Sequence, residues 1–150
     1  MRQSDVSSLV DIHLAALPDD FLPTLGKEFL NFFYSLNLEA RGIINLVFTD
    51  GKNVKGFVLG CTDSRKFFIS TIKKGWLKFV LLIGKKLIKN PIIIFKTAET
   101  FLYPKKEGEG PKAELLIIVV RPASQGKGVG LKLTKELEKG VDPSGGQSQR

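Results

Sequence analysis

The sequence predicts a mixed α/β (α+β) domain, a mostly antiparallel sheet flanked by helices. Three observations carry that expectation. Apolar residues recur at helical spacing through the first 38 residues. The period then changes to β-branched runs on either side of Asp50-Gly51, a hairpin signal. Finally, a nearly continuous apolar run, Leu115-Leu116-Ile117-Ile118-Val119-Val120, leads into a glycine-containing loop and one more amphipathic segment.

Taken in order, Val6, Leu9, Val10, Leu14 and Leu17 space a helix over about Asp5 to Leu17, with Ser4 or Asp5 as cap. Pro18-Asp19-Asp20 reads as a loop. A second helix runs over about Thr24 to Leu38, its stripe formed by Leu25, Phe29, Phe32, Phe33 and Leu36. Ile43–Thr49 and Val54–Thr62 read as an antiparallel pair. Ile69, Ile72, Trp76, Phe79, Val80, Ile83 and Leu87 then share one helical face, with most lysines elsewhere. A further helix is expected over Pro91 to Leu102 and a charged loop over Lys105 to Lys112. Ala113–Val120 reads as a central strand buried on both faces. Val129, Leu133 and Leu137 space a closing helix that ends at Lys139-Gly140.

At 43% hydrophobic and 25% charged the chain is globular rather than disordered, and its 150 residues suit one domain. A single cysteine, Cys61, excludes an internal disulfide, and with His13 it is too little sulfur and imidazole for a structural zinc site. No metal is expected. The start is polar, without the apolar core of a secretory signal, and no apolar run approaches the roughly 20 residues of a bilayer span. The expectation is a soluble, cytoplasmic protein. The formal charge of +8 is uneven: eleven basic residues between Arg65 and Lys106 face Glu99 alone, a segment of about +10. Such asymmetry points to an anionic partner. It fits a solvated helical insert or a peripheral membrane contact; no nucleic-acid motif accompanies it.

The informative stretch is Val120-Arg121-Pro122-Ala123-Ser124-Gln125-Gly126-Lys127-Gly128-Val129-Gly130. It joins the apolar strand to the last helix. Glycines there let backbone N–H groups approach a phosphate, and a helix start leaves donors and a partial positive charge. Lys127 adds a cation. Neither the P-loop spacing nor G-x-G-x-x-G is present, since Leu131 stands where the last glycine would be. The plain alternative is a tight strand-to-helix turn without a ligand. His13 reads as a packed core histidine, Cys61 as a small buried apolar residue rather than a nucleophile, and Tyr34 and Tyr103 as core or rim aromatics, with lining of an acceptor site as their alternative.

Gln125-Gly126-Lys127-Gly128-Val129-Gly130, preceded by Val120-Arg121-Pro122, resembles the acetyl-CoA loop of the GNAT superfamily of N-acetyltransferases. The order helix, helix, hairpin, insert, strand, loop, helix is similar to that family's order up to its third helix. The segments Asp11-Ile12-His13-Leu14-Ala15-Ala16 and Leu25-Gly26 through Phe33-Tyr34 look like a bacterial branch with a basic helical insert. The resemblance implies acetyl-CoA as co-substrate and an amine acceptor, either a small molecule or a protein. It implies that main-chain groups of Gln125, Gly126, Lys127, Gly128, Val129 and Gly130 hold the pyrophosphate. Those of Ile118 and Val120 would pair with the pantetheine arm. Glu114, four residues before Ile118 and on the same face by strand alternation, is the candidate general base. The alternative for Glu114 is a strand-end carboxylate facing solvent.

The resemblance departs at both ends. The family's first strand is reduced to Met1-Arg2-Gln3-Ser4, and Val141–Arg150 carries no strand, helix or tyrosine pattern. The expectation is a partial acetyltransferase domain over 1–140, with the basic insert at 64–106 and a disordered tail at 141–150. An open sheet edge at Ala113–Val120 would then invite a homodimer, and acetyl transfer would be weak or lost. A non-catalytic coenzyme A-binding remnant and an anionic-surface binding module are the alternative readings.

Overall fold

A short 3-10 turn at Gln3–Asp5 starts the chain, where the Arg2 N–H donates to the Asp5 carboxylate at 2.7 Å. Helix α1 follows over Val6–Ala16. The computed structural model describes residues 1–38, 40–87 and 114–140. The single helix expected over Thr24 to Leu38 is two, α2 (Phe21–Thr24) and α3 (Lys27–Asn37). The break is Gly26, whose φ of 97° lies in a region open to glycine and closed to helix.

Strands β1 (Ile43–Asp50) and β2 (Asn53–Cys61) form the expected hairpin, and β3 (Glu114–Val120) pairs antiparallel with β2. The sheet order is β1-β2-β3. It is β2, not β3, that lies in the middle and is buried along nearly its whole length. β3 takes an edge among the described residues, and Leu115 on it is 49% exposed.

Each sheet face has its own core. On one face Phe57, Leu59, Cys61 and Val119 pack with α1 and α3 through Leu9, Val10, Ile12, Leu30 and Tyr34. On the other, Val58 packs under α5 (Val129–Gly140) through Val129, Leu133 and Leu137, the spacing expected for a closing helix. Each of these side chains contributes at most about 1.5–3 kcal/mol by burial. Contact is close enough that a Cβ on Gly60 would stand 2.6 Å from Leu137 Cδ1. That approach holds the C-terminal half of α5 against β2.

The basic segment opens with a long helix, α4 (Ser64–Leu87). Its buried line is Phe67, Thr71 and Gly75, with half-buried Phe79 against Phe29 and Phe32 of α3. The apolar stripe that shares one helical face is therefore turned outward in part: Ile69, Ile72, Trp76 and Val80 are exposed. No helix among the described residues is long and apolar enough to cross a membrane. The helix expected at Pro91–Leu102, the Lys105–Lys112 loop, Tyr103 and the 141–150 tail lie outside the described residues.

Candidate functional site

The loop between β3 and α5 is anchored at its entrance. The Arg121 N–H donates to the Lys55 carbonyl at 2.8 Å, and Arg121 Nε donates to the Val54 carbonyl at 3.2 Å. Pro122–Ser124 makes one 3-10 turn, closed by the Ser124 N–H on the Arg121 carbonyl at 2.7 Å. The chain then passes through Gly126 (φ 73°) and Gly128 (φ 75°), both left-handed. A side chain at either position would meet nothing within 4 Å, so it is the backbone conformation that calls for glycine.

The Lys132 N–H donates to the Gly128 carbonyl at 3.1 Å and opens the hydrogen-bond ladder of α5. Among the described residues, the main-chain N–H groups from Gly126 to Leu131 donate no hydrogen bond of ordinary geometry, although the chain is turned through Gln125–Gly128. A run of free donors at a helix start is an anion site in electrostatic terms. Gln125, Gly126, Lys127 and Gly128 are exposed, while Val129 is buried and holds the helix to the sheet. Gly130 faces Val120, and a Cβ there would make an ordinary contact at 3.8 Å with Val120 Cγ2.

Two side chains of the loop fold back on it. Lys127 Nζ donates to the Ala123 carbonyl at 2.9 Å, so this cation is held over the loop. Gln125 Nε2 donates to the Val120 carbonyl at 3.1 Å. A shallow, open concavity of about 340 Å³ lies between the hairpin tip and the loop, lined by Thr49, Asp50, Lys55, Ser124 and Lys127 among others. Lys55 was not legible as a site residue. It is the extra residue of a bulge, where Phe48 pairs with Gly56 but Thr49 pairs with Val54. Its ammonium stands 3.8 Å from the Asp50 carboxylate.

The edge of β3 has a definite polarity. Because the Arg121 N–H points to Lys55, alternation turns the main-chain groups of Ile117 and Val119 toward β2. Those of Ile118 and Val120, the two positions expected to meet a pantetheine arm, turn away from β2, to the edge of β3 that pairs with no strand among the described residues. The side chains of Ile118 and Val120 pack on the α5 face.

Glu114 does not share that face. A second bulge intervenes: Leu59 pairs with Ile117 but Gly60 pairs with Leu115, leaving Leu116 without a partner of its own. The extra residue reverses the alternation. Glu114 lies opposite Cys61, which packs in the core under α1 and α3, whereas Ile118 lies opposite Val58 under α5. The expectation that Glu114 and Ile118 share a face is thus corrected. Burial, and then the Glu114 carboxylate, push the Cys61 thiol up to about 11, although backbone hydrogen bonds from Glu114 and Asp63 pull the other way. Such a thiol is not a nucleophile at neutral pH.

On the same side of the sheet, His13 and Tyr34 are buried and share a hydrogen bond at 2.6 Å between Nδ1 and the hydroxyl. Both rings pack near Phe57. Desolvation lowers the His13 pKa, opposed in part by the Asp20 carboxylate, and desolvation raises that of Tyr34. His13 is a core residue, as its place on the apolar helix face led one to expect. Among the described residues, no three His, Cys, Asp or Glu side chains converge in a metal-binding arrangement. No protein-family model, curated protein or solved structure matches the chain.

Proposed function

We propose that the Gln125–Gly130 loop binds the diphosphate of a coenzyme A thioester, and that the chain is an acetyl-CoA-dependent N-acetyltransferase acting on a primary amine. The observation that carries this reading is the row of undonated amides from Gly126 to Leu131 at the start of α5. A diphosphate offers acceptors to several of them at once, and charge-assisted bonds of this kind are about twice as strong as neutral ones. Lys127 adds positive charge beside the loop, while Lys55 there is offset by the Asp50 carboxylate. The likeness of the loop to that of the GNAT superfamily supplies the acetyl group and the amine.

In that reading the pantetheine arm lies along the open edge of β3 and meets the main-chain groups of Ile118 and Val120. The amine nitrogen attacks the thioester carbonyl carbon, the carbon–sulfur bond breaks, and coenzyme A leaves as thiol once a proton reaches its sulfur. Glu114 accepts the proton that the amine gives up. An arm on the edge of the sheet is reachable from either face, so the reversed phase of Glu114 is compatible with this role.

A second reading is a coenzyme A binder without transferase activity. The Gln125 amide on the Val120 carbonyl supports it, because that bond occupies an acceptor the arm would use. Calorimetric titration with acetyl-CoA, and thiol release with a panel of amines, test the two. Heat and thiol release together support the transferase. Heat with no thiol release supports the binder. No heat from a folded sample, or heat unchanged by Gly128→Val, contradicts both.

A further inference from the structure

The rotation of α4 about its axis is set by two contacts with α3. The Thr71 hydroxyl donates to the Asn37 side-chain carbonyl at 2.9 Å, in a buried position. Gly75 lies so near α3 that a Cβ there would stand 2.9 Å from Leu36 Cδ2 and from Phe32 Cζ. With that side turned inward, the rest of the helix surface faces out, and much of it is apolar. Ile69 (45% exposed), Ile72 (42%), Trp76 (55%) and Val80 (63%) fall within roughly 80° of arc at about 100° per residue. Leu77 (67%) and Leu81 (59%) extend the apolar surface. An exposed apolar stripe of this length marks an interaction surface.

Its charge identifies the partner. No acidic residue occurs between Asp63 and Glu99. Lys66, Lys73, Lys74 and Lys78 are exposed along the described part of α4. Lys66 pairs with Asp63 at 3.1 Å, and Lys78 lies over the Phe32 ring at 4.7 Å. Lys73 lies about 20° beyond Val80, and Lys74 about 20° beyond Leu81 at the far edge of the apolar surface; neither has a partner among the described residues. Cores of protein–protein interfaces are depleted in lysine, whereas helices that lie in a membrane surface combine an apolar face, flanking lysines and an interfacial indole. We infer that α4 is an in-plane docking surface for an anionic bilayer, with Ile69, Ile72, Trp76 and Val80 among the acyl chains and Lys73 and Lys74 at the phosphates. This inference is independent of what the glycine loop binds.

Trp76 is the chain's one tryptophan, so its emission reports this face alone. The full chain is mixed with phosphatidylcholine vesicles with and without phosphatidylserine, at low and high salt. Sedimentation, the Trp76 emission maximum and quenching by brominated lipid are followed. The expected result is sedimentation with the serine lipid at low salt, a blue shift, and quenching. Lys73→Gln with Lys74→Gln should weaken binding roughly fivefold per lysine. Leu77→Glu with Val80→Glu should abolish the shift, and because both residues are exposed, the thermal melt should be retained. Absence of sedimentation at low salt overturns the inference, as does sedimentation without a Trp76 shift. An equal shift with soluble polyglutamate assigns the face to an acidic polypeptide and overturns it too. So does vesicle-free protein whose Trp76 already emits as a buried indole and resists acrylamide, since the face is then covered by the chain or by a second copy.

Discussion

Glu114 lies directly across the β2–β3 ladder from Cys61, and its carboxylate joins burial in pushing the Cys61 thiol up to about 11. Glu114→Gln removes that negative charge, so the thiol pKa should fall. The pH dependence of alkylation by iodoacetamide measures it, and an unmoved midpoint would contradict the juxtaposition. If Glu114 is also the base, the same variant lowers acetyl transfer by about 10²- to 10⁴-fold while acetyl-CoA affinity holds.

The loop glycines separate folding from binding. Gly130 has no left-handed φ, and its added Cβ would make only an ordinary contact with Val120. Gly130→Ala should therefore leave the melting temperature unchanged or raise it, by up to about 1 kcal/mol of stability. It should nevertheless weaken acetyl-CoA binding, because the methyl crowds the approach of a phosphate. Gly128→Val should lose about 1–2 kcal/mol through its left-handed backbone, and lose binding as well. Unchanged affinity in Gly130→Ala would argue for a turn without a ligand.

Tyr34→Phe deletes a hydroxyl bonded to a buried imidazole and leaves the His13 nitrogen unpaired. The expected loss is about 1–3 kcal/mol, seen as a lower urea midpoint at constant slope. A midpoint within error of the parent would mean that the pair carries no stability.

His13 also makes stability depend on pH. Desolvation sets its folded-state pKa below the ordinary imidazole value of about 6.5. Below about 6.5 the unfolded chain therefore binds the proton that the folded chain refuses. The contribution of the neutral ring is complete above 6.5 and is lost as pH falls toward the folded-state value. The slope is at most about 1.4 kcal/mol per pH unit for one group. Urea midpoints taken between about pH 7.5 and 5.5 should fall in the parent and flatten in His13→Gln. Equal slopes in the two proteins would assign the dependence to other groups.

Much of this fold is legible in the residues. Val129, Leu133 and Leu137 announce α5, Asp50-Gly51 announces the hairpin, and the row of apolar residues before Arg121 announces β3. Three features are not legible, for physical reasons. The β3 bulge falls in a stretch of uniformly apolar side chains, where alternation has no contrast to lose. The rotation of α4 is hidden because both of its sides carry large apolar residues; Gly75 and Thr71 decide it through contacts with Leu36, Phe32 and Asn37. Lys55 joins the loop only through a shifted register. Of the candidate site, the glycine positions were readable from local chemistry, whereas the face of Glu114 needed the strand pairing.

The most direct measurement is a two-dimensional amide NMR spectrum of the isotopically labelled chain, titrated with coenzyme A. The expected result is saturable shifts led by the N–H groups of Gly126 through Leu131, lost in Gly128→Val. Shifts confined to other residues, or none at saturating coenzyme, would contradict a diphosphate seat ahead of α5.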